Sequence, residues 1–373
     1  MGEMCKRTNS DIERIENIMK ICFIVGAFPK MKCGVGDYSS KLAKELADNG
    51  NEIYVITSIK ASNNFDGVQV FNIIENWDKS SRKSIIKILK EIKPDIVNIQ
   101  YPSQEYKDAY YIFNILPLII KLKIKCKLTE TIHEYDLEPL SKKRKIRYYL
   151  NFKLMSKVVV VEEFFKNLIK KDFKSVEVDY IQISSNISRV ILSAEEKKEI
   201  KNKLKLNAKN VISYFGFISE QKGIENLLKC ISKMEDTQLL ILSELDKNNE
   251  YHKKILNLIE ELNLKDKIKI TGFLEDEKVV AKYLSATDLC VLPFKNGVQK
   301  RNGSFLAAYN QFIPIITTTT QAYNDENGVY YVKCNEEDEL LHKIKKVLSK
   351  KENILREELN WKKVAKEYVN VFK

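Results

Sequence analysis

Residues 211–224 read Val-Ile-Ser-Tyr-Phe-Gly-Phe-Ile-Ser-Glu-Gln-Lys-Gly-Ile. The first five form a short apolar run closed by glycine, the pattern of a strand buried on both faces of a parallel sheet. Gly216 and Gly223 punctuate the loop that follows, and from 223 to 233 the apolar residues recur at helical spacing. Strand, glycine loop and helix in succession make one step of an α/β fold. In open parallel sheets ligands bind beyond the carboxyl ends of the strands, so loops of this kind are where function is sought.

The same step recurs on both sides. Downstream, strand candidates lie at 238–242, 267–270, 289–292 and 313–317, with amphipathic helices such as 251–262 between them. Upstream, similar runs lie at 21–25, 52–57, 95–99, 127–132 and 157–161, again separated by helix-length segments. A polar stretch near 188–209 divides the two series. At 373 residues the chain is too long for one ordinary core. The expected fold class is therefore α/β, with two doubly wound Rossmann-like domains facing a cleft. The expected organisation is a polar N-terminal extension over 1–18, a first domain over 19–188, a second over 189–355, and a C-terminal helix within 356–373 that packs back toward the first domain.

Composition narrows the function classes. With 44 % hydrophobic and 31 % charged residues the chain is globular rather than disordered or fibrous. The net charge of +12 comes from lysines spread over every segment, so it argues for compositional bias and against a nucleic-acid footprint. One dense patch, Lys142-Lys143-Arg144-Lys145-Ile146-Arg147, reads as a solvated helix face, as a contact for anionic lipid headgroups or a lipid-phosphate substrate, or, least of all, as a nucleic-acid contact. Seven scattered cysteines without a Cys-x-x-Cys spacing argue against both a disulfide framework and a zinc site. No apolar stretch reaches membrane-spanning length and no signal-peptide core opens the chain, so a cytoplasmic protein is expected, with the inner face of the membrane as a candidate place of attachment.

Four loops carry candidate chemistry. Cys33-Gly34-Val35-Gly36-Asp37-Tyr38 follows the first strand and precedes a helix, where two glycines allow close backbone approach to an anion; an ordinary turn capped by Asp37 explains the same residues. Lys222 stands at the mouth of a helix whose dipole favours negative charge, or is a plain solvated lysine. In Gly297-Val298-Gln299-Lys300-Arg301-Asn302-Gly303-Ser304, two cations precede a helix over 304–311 that would begin with Gly303 and Ser304. Amides, a hydroxyl and a bidentate guanidinium suit phosphate oxygens, whereas a Ser-capped helix is the plainer alternative. His133-Glu134, after a first-domain strand, places one of only three histidines beside a carboxylate, suited to a hydroxyl ligand or to a structural role. There is no Asp-x-Asp pair, P-loop or Gly-x-Ser-x-Gly elbow, and no metal is expected.

In order and spacing these segments resemble the retaining nucleotide-sugar glycosyltransferases of the GT-B fold, family 4. The resemblance runs from Met19 to the end of the chain. It rests on Gly34-Val35-Gly36-Asp37-Tyr38, Asn98-Ile99-Gln100-Tyr101-Pro102, His133-Glu134, Ile183-Ser184-Ser185-Asn186-Ile187, Phe215-Gly216-Phe217 through Lys222-Gly223, Gly272-Phe273, Asp288 to Phe294, and Arg301 to Thr318. It implies a hexosyltransferase-like, metal-independent transferase with no cofactor and a nucleotide-diphosphate sugar as co-substrate. Gly34, Gly36, Gly216, Lys222, Gly272, Phe273, Gln299, Arg301, Gly303 and Ser304 would face the donor. His133, Glu134 and Tyr101 would face a saccharide or lipid-linked acceptor, with His133, Lys222 and Arg301 closest to the chemistry. It also implies retention, a role in envelope or capsular glycan synthesis, and an anionic membrane surface but no nucleic acid among the partners. A nucleotide-sugar epimerase and an inactive glycan-binding scaffold are the competing expectations. Two departures stand out: Phe217 occupies a place where the family commonly has Arg, and Gln299 and Ala307 occupy those of its paired glutamates.

Overall fold

The computed structural model describes residues 18–31, 33–136, 138–320, 324–350 and 354–373. The expected extension over 1–18 therefore lies, apart from Ile18, outside the described residues. The chain divides into two compact units, one of residues up to Ile183 together with Trp361–Lys373, the other Ser184–Asn360.

In the first unit the chain runs through β1 (Lys20–Ile24), α1 (Gly34–Asp48), β2 (Glu52–Ser58), β3 (Asn64–Phe65), β4 (Val68–Ile74), α2 (Arg82–Ile92), β5 (Ile96–Tyr101), α3 (Leu116–Lys123), β6 (Lys127–Ile132), α4 (Lys142–Leu154), β7 (Lys157–Val160), α5 (Glu163–Asp172) and β8 (Val178–Tyr180). The sheet order is β3-β4-β2-β1-β5-β6-β7-β8, parallel except for the β3–β4 pair. Alternation sorts the side chains by face. Cys22, Ile24, Val97, Ile99 and Leu128 pack under α2 and α3, whereas Ile21, Phe23, Val25, Ile53 and Val55 pack under α1. Each such fully buried aliphatic contributes about 1.5–3 kcal/mol. One buried carboxyl departs from this apolar plan. Glu130 of β6 is fully buried, accepts from Asn151 Nδ2 at 2.6 Å, and its pKa is pushed up to about 8 by burial.

The second unit continues through α6 (Ala194–Lys203), β9 (Asn210–Phe215), α7 (Ile224–Ser232), β10 (Thr237–Leu242), α8 (Glu250–Glu261), β11 (Ile268–Ile270), α9 (Glu277–Ser285), β12 (Leu289–Leu292), α10 (Gly303–Asn310), β13 (Ile315–Thr319), β14 (Val329–Lys333) and α11 (Glu337–Leu348). Its sheet order is β11-β10-β9-β12-β13-β14, all parallel. One face carries α7, α8 and α11 over Ile212, Tyr214, Leu239 and Ile241; the other carries α9 and α10 over Val211, Leu240, Cys290 and Ile315. Both units are thus doubly wound.

The final helix, α12 (Trp361–Phe372), returns to the first unit and buries Trp361, Val364, Ala365, Tyr368 and Phe372 in the cluster that holds Tyr38, Leu42 and Leu46 of α1. Two boundaries differ from the sequence expectation. The division falls after Ile183 rather than after 188, because Asn310 and Gln311 donate to the carbonyls of Ile187 and Ser188, both at 3.0 Å, and tie that stretch to α10. Residues 356–360 stay with the second unit. There the Arg356 guanidinium lies 4.5 Å from the Tyr309 ring centroid and donates to the Tyr309 carbonyl at 3.0 Å, while Leu359 N–H donates to Asn310 Oδ1 at 2.9 Å.

Candidate functional site

In the second sheet β9 and β12 are neighbours, and the chain leaves β9 toward β10 on one side and β12 toward β13 on the other. That reversal opens a crevice at their carboxyl ends. Three segments meet there. Gly216, with φ +121°, follows β9, and a Cβ built on it would stand 3.2 Å from Ser304 Cβ, so the β9 loop touches the start of α10. Gly223, with φ +64°, lies so close to the segment after β12 that a Cβ would meet the Pro293 carbonyl oxygen at 2.2 Å. Neither position accepts a side chain without a shift in backbone. Between them Lys222 ends a single 3-10 turn, and its Nζ lies 4.6 Å from the centroid of the Phe294 ring. Burial lowers the Lys222 pKa, and the ring face offsets part of that desolvation.

The start of α10 is held unusually. Asn302 occupies the N-cap position, yet its side chain makes no cap hydrogen bond and instead accepts from Gln299 N–H at 2.8 Å. Asn302 N–H in turn donates to the Gln299 carbonyl at 2.8 Å. The two bonds close the turn that carries Lys300 and Arg301 and leave the first amides of α10 without a side-chain acceptor. Ser304 does not cap the helix: it lies within the first turn, 8 % exposed, with its Oγ buried and lacking a hydrogen-bond partner. This overturns the Ser-capped alternative. A hydroxyl left so costs about 1–3 kcal/mol until something satisfies it. Gly303 is exposed, Arg301 is half-buried, and Lys300 Nζ lies 4.0 Å from Glu326 Oε1.

The remaining donor-side candidates spread along the same edge. Gly272 follows β11 with φ +77° and open space where a Cβ would sit, and Phe273 beside it is exposed, as is Phe217. Gln299 is exposed, whereas Ala307 is fully buried in the apolar cluster under α10. Sequence reasoning missed one strut of this loop system. His252 accepts from Asp246 N–H through Nδ1 at 3.0 Å, which places its proton on Nε2, and Nε2 donates to the Ile218 carbonyl at 3.0 Å. It thereby pins the 216–222 loop to α8.

The first unit has its own reversal between β1 and β5. α1 begins at Gly34 with Cys33 as N-cap and no side-chain cap bond, and Asp37 lies inside the first turn, so the Asp-capped turn is also overturned. Gly36 has a packing task, since a Cβ there would stand 2.9 Å from the Ala27 carbonyl oxygen; Gly34 is open. His133 is 4 % exposed, contacts Gln100 Oε1 through Nε2 at 2.7 Å, and meets the Tyr38 ring edge-on at 4.8 Å. Gln100 Nε2 donates to Asn98 Oδ1, and Asn98 Nδ2 donates to Thr129 and Thr131 at 2.9 and 3.2 Å. Thr131 Oγ1 and Tyr38 OH each lie 2.9 Å from Tyr368 OH of α12. With Gln100 Oε1 as acceptor, the proton of a neutral His133 sits on Nε2. Tyr101 is half-buried and its carbonyl accepts from His133 N–H at 2.7 Å; Glu134 is exposed. The polar alternation Asn98, Gln100 and Thr129, Thr131 on paired strands is the sequence signal that marks this network.

Chemically, the second unit offers helix amides and a buried hydroxyl at one crevice, with Lys222 and Arg301 carried on the turns that border it, a combination suited to a phosphate group. Among the described residues no group of three or more His, Cys, Asp and Glu side chains could hold a metal. No described helix is long and apolar enough to cross a membrane.

Comparison with known proteins follows the same geography. Residues 209–350, which hold every second-unit residue named as a donor-side candidate, match the family described as Glycosyl transferases group 1. Over 388 aligned residues the chain is 24 % identical to a protein of Methanocaldococcus jannaschii described as an uncharacterized glycosyltransferase, covering 91 % of this chain and 94 % of that one. A glycosyltransferase structure from Rickettsia africae superposes with a TM-score of 0.71 at 18 % identity, covering 95 % of this chain and 93 % of that one. Anabaena HepE, solved in complex with UDP, superposes with a TM-score of 0.71 at 14 % identity, covering 95 % and 96 %. At such identities the structural likeness is one of fold.

Proposed function

We propose that the chain is a glycosyltransferase of the GT-B fold, a reading supported by the family its second unit matches and by its architecture, and that it moves a sugar from a nucleotide-diphosphate donor to a saccharide or lipid-linked acceptor. The observation that carries this reading is the start of α10: uncapped amides and a partnerless buried Ser304 hydroxyl, pressed against Gly216, with Lys222 and Arg301 on the adjoining turns. In this reading the amides and both cations hold the diphosphate and stabilise the charge it gains as the glycosidic bond breaks. Groups fixed in advance toward such developing charge supply ~3–4 kcal/mol apiece in other enzymes. Phe273 and Gly272 flank the base, and the donor sugar is held without the glutamates the family commonly uses, since Gln299 and Ala307 stand in their places.

His133 serves the acceptor. Its Nε2–H donates to Gln100 Oε1, so the ring is held in one orientation and one tautomer. The acceptor hydroxyl attacks the face that the leaving group vacates, giving retention, and no metal takes part. The product belongs to an envelope or capsular glycan. UDP-, GDP-, ADP- and CMP-sugars, added separately in a thermal-shift assay, test the donor half: one nucleotide series should raise the melting temperature by several degrees. Product analysis with that donor then separates transfer from epimerisation. No shift with any nucleotide rejects the donor site.

A further inference from the structure

We propose that the outer face of α3 and α4 in the first unit docks the protein on an anionic phospholipid surface. The two helices are neighbours on one side of the sheet. Asn114, just before α3, donates to the Arg147 carbonyl at 2.9 Å and accepts from Arg147 Nε at 2.7 Å, and the Arg147 guanidinium lies 5.1 Å from the Tyr110 ring centroid. Their outward surface is apolar where a solvated helix would be polar. Leu122 is 76 % exposed, Ile146 62 % and Leu150 58 %, with Leu118, Tyr110 and Tyr149 also exposed beside them. On α3, Leu118 and Leu122 share a face at i, i+4, and on α4 Ile146, Tyr149 and Leu150 share one at i, i+3, i+4.

The charge on this face has one sign. Neither helix contains an acidic residue. Arg144 and Lys145 are taken up by Asp136 and Asp172 at 2.7 and 2.6 Å, so they are not the residues that face a partner. Lys121, Lys123, Lys125, Lys142, Lys143 and Lys153 are exposed, and no ion pair to any of them occurs among the described residues. Aliphatic side chains ringed by lysines and two tyrosines match the boundary between headgroups and acyl chains: the apolar tips enter, the lysine stems lie along the surface, and the ammonium groups meet lipid phosphates. A second copy of the chain is a poor occupant, because two such faces would set lysines against lysines.

The inference rests on the surface of the first unit and not on the donor reading, and it is read without turnover. The full chain is sedimented with phosphatidylcholine vesicles with and without phosphatidylglycerol, at low and high salt. Binding is expected to the anionic vesicles, falling at least tenfold at high salt. A Leu122→Asp/Ile146→Asp/Leu150→Asp variant and a Lys142→Glu/Lys143→Glu/Lys153→Glu variant should each lose at least tenfold in vesicle binding while keeping the nucleotide-induced thermal shift. Should either triple variant fail to fold, the single changes Leu122→Asp and Lys143→Glu are read in the same assay, each with a smaller loss in the same direction. Absence of binding, equal binding to neutral vesicles, or binding indifferent to both sets of changes overturns the proposal. So does a dimer seen by light scattering and dissolved by Leu122→Asp, which would make a second copy the occupant.

Discussion

The two units present the same kind of edge, the carboxyl ends of a doubly wound parallel sheet, and furnish it in opposite ways. In the first unit the polar groups turn inward and satisfy one another: His133, Gln100, Asn98, Thr131, Tyr368 and Tyr38 form a buried chain of hydrogen bonds and ring contacts. In the second unit the turn ahead of α10 spends its cap residue on its own backbone and leaves amides and the Ser304 hydroxyl without acceptors. A closed network fixes a side chain in place and adds little affinity. An incomplete one stores a desolvation cost that an arriving anion removes. Under the proposed function, the first edge positions and the second binds.

The contrast is broken or sharpened by substitutions that separate affinity from stability. Lys222→Ala and Arg301→Ala should each lower nucleotide-diphosphate affinity or turnover at least tenfold while moving global stability by less than about 1 kcal/mol; unchanged kinetics in both would remove the cations from the site. Gln100→Leu should act the other way. It takes the acceptor from a buried His133 N–H and should cost about 1–3 kcal/mol in denaturant unfolding with nucleotide affinity unmoved, and a weakened nucleotide with intact stability would erase the distinction between the edges. Ser304→Ala should give the smallest effect: stability equal or higher by up to about 1 kcal/mol, with a several-fold loss of nucleotide affinity by titration. A clear drop in melting temperature would mean that the hydroxyl already has a structural partner.

Much of this was legible in the chain because strands buried on both faces announce themselves as apolar runs. β6 spans the expected residues, and β1, β5, β9 and β10 lie within two residues of expectation at either end. β13 begins at Ile315 rather than at 313, after Pro314, which has no N–H to give to a ladder. The strands that went unread are β3, β4, β8 and β14. Of these, β3, β4 and β8 are short or half-exposed, and β4 carries Gln69 and Asn72 among its apolar residues. At the sites, glycines were readable as loop punctuation, and Gly216, Gly223 and Gly272 do adopt positive φ. What sequence could not settle was which polar residue caps a helix: Asp37 and Ser304 are cap-forming types that sit one to three residues inside the first turn, where composition looks the same. Nor could it pair Gln100 with His133 or His252 with Ile218, since those contacts join residues 33 and 34 positions apart.

The return of α12 sets an order of events during synthesis. Tyr368 OH, which joins Tyr38 to Thr131, and the five side chains that finish the α1 layer all arrive after the entire second unit has been translated. The unit that begins first is therefore completed last, and on the ribosome it must wait, with one flank of its sheet uncovered, while its neighbour emerges. A stop codon just before Trp361 would leave every residue of the second unit in place and damage the first.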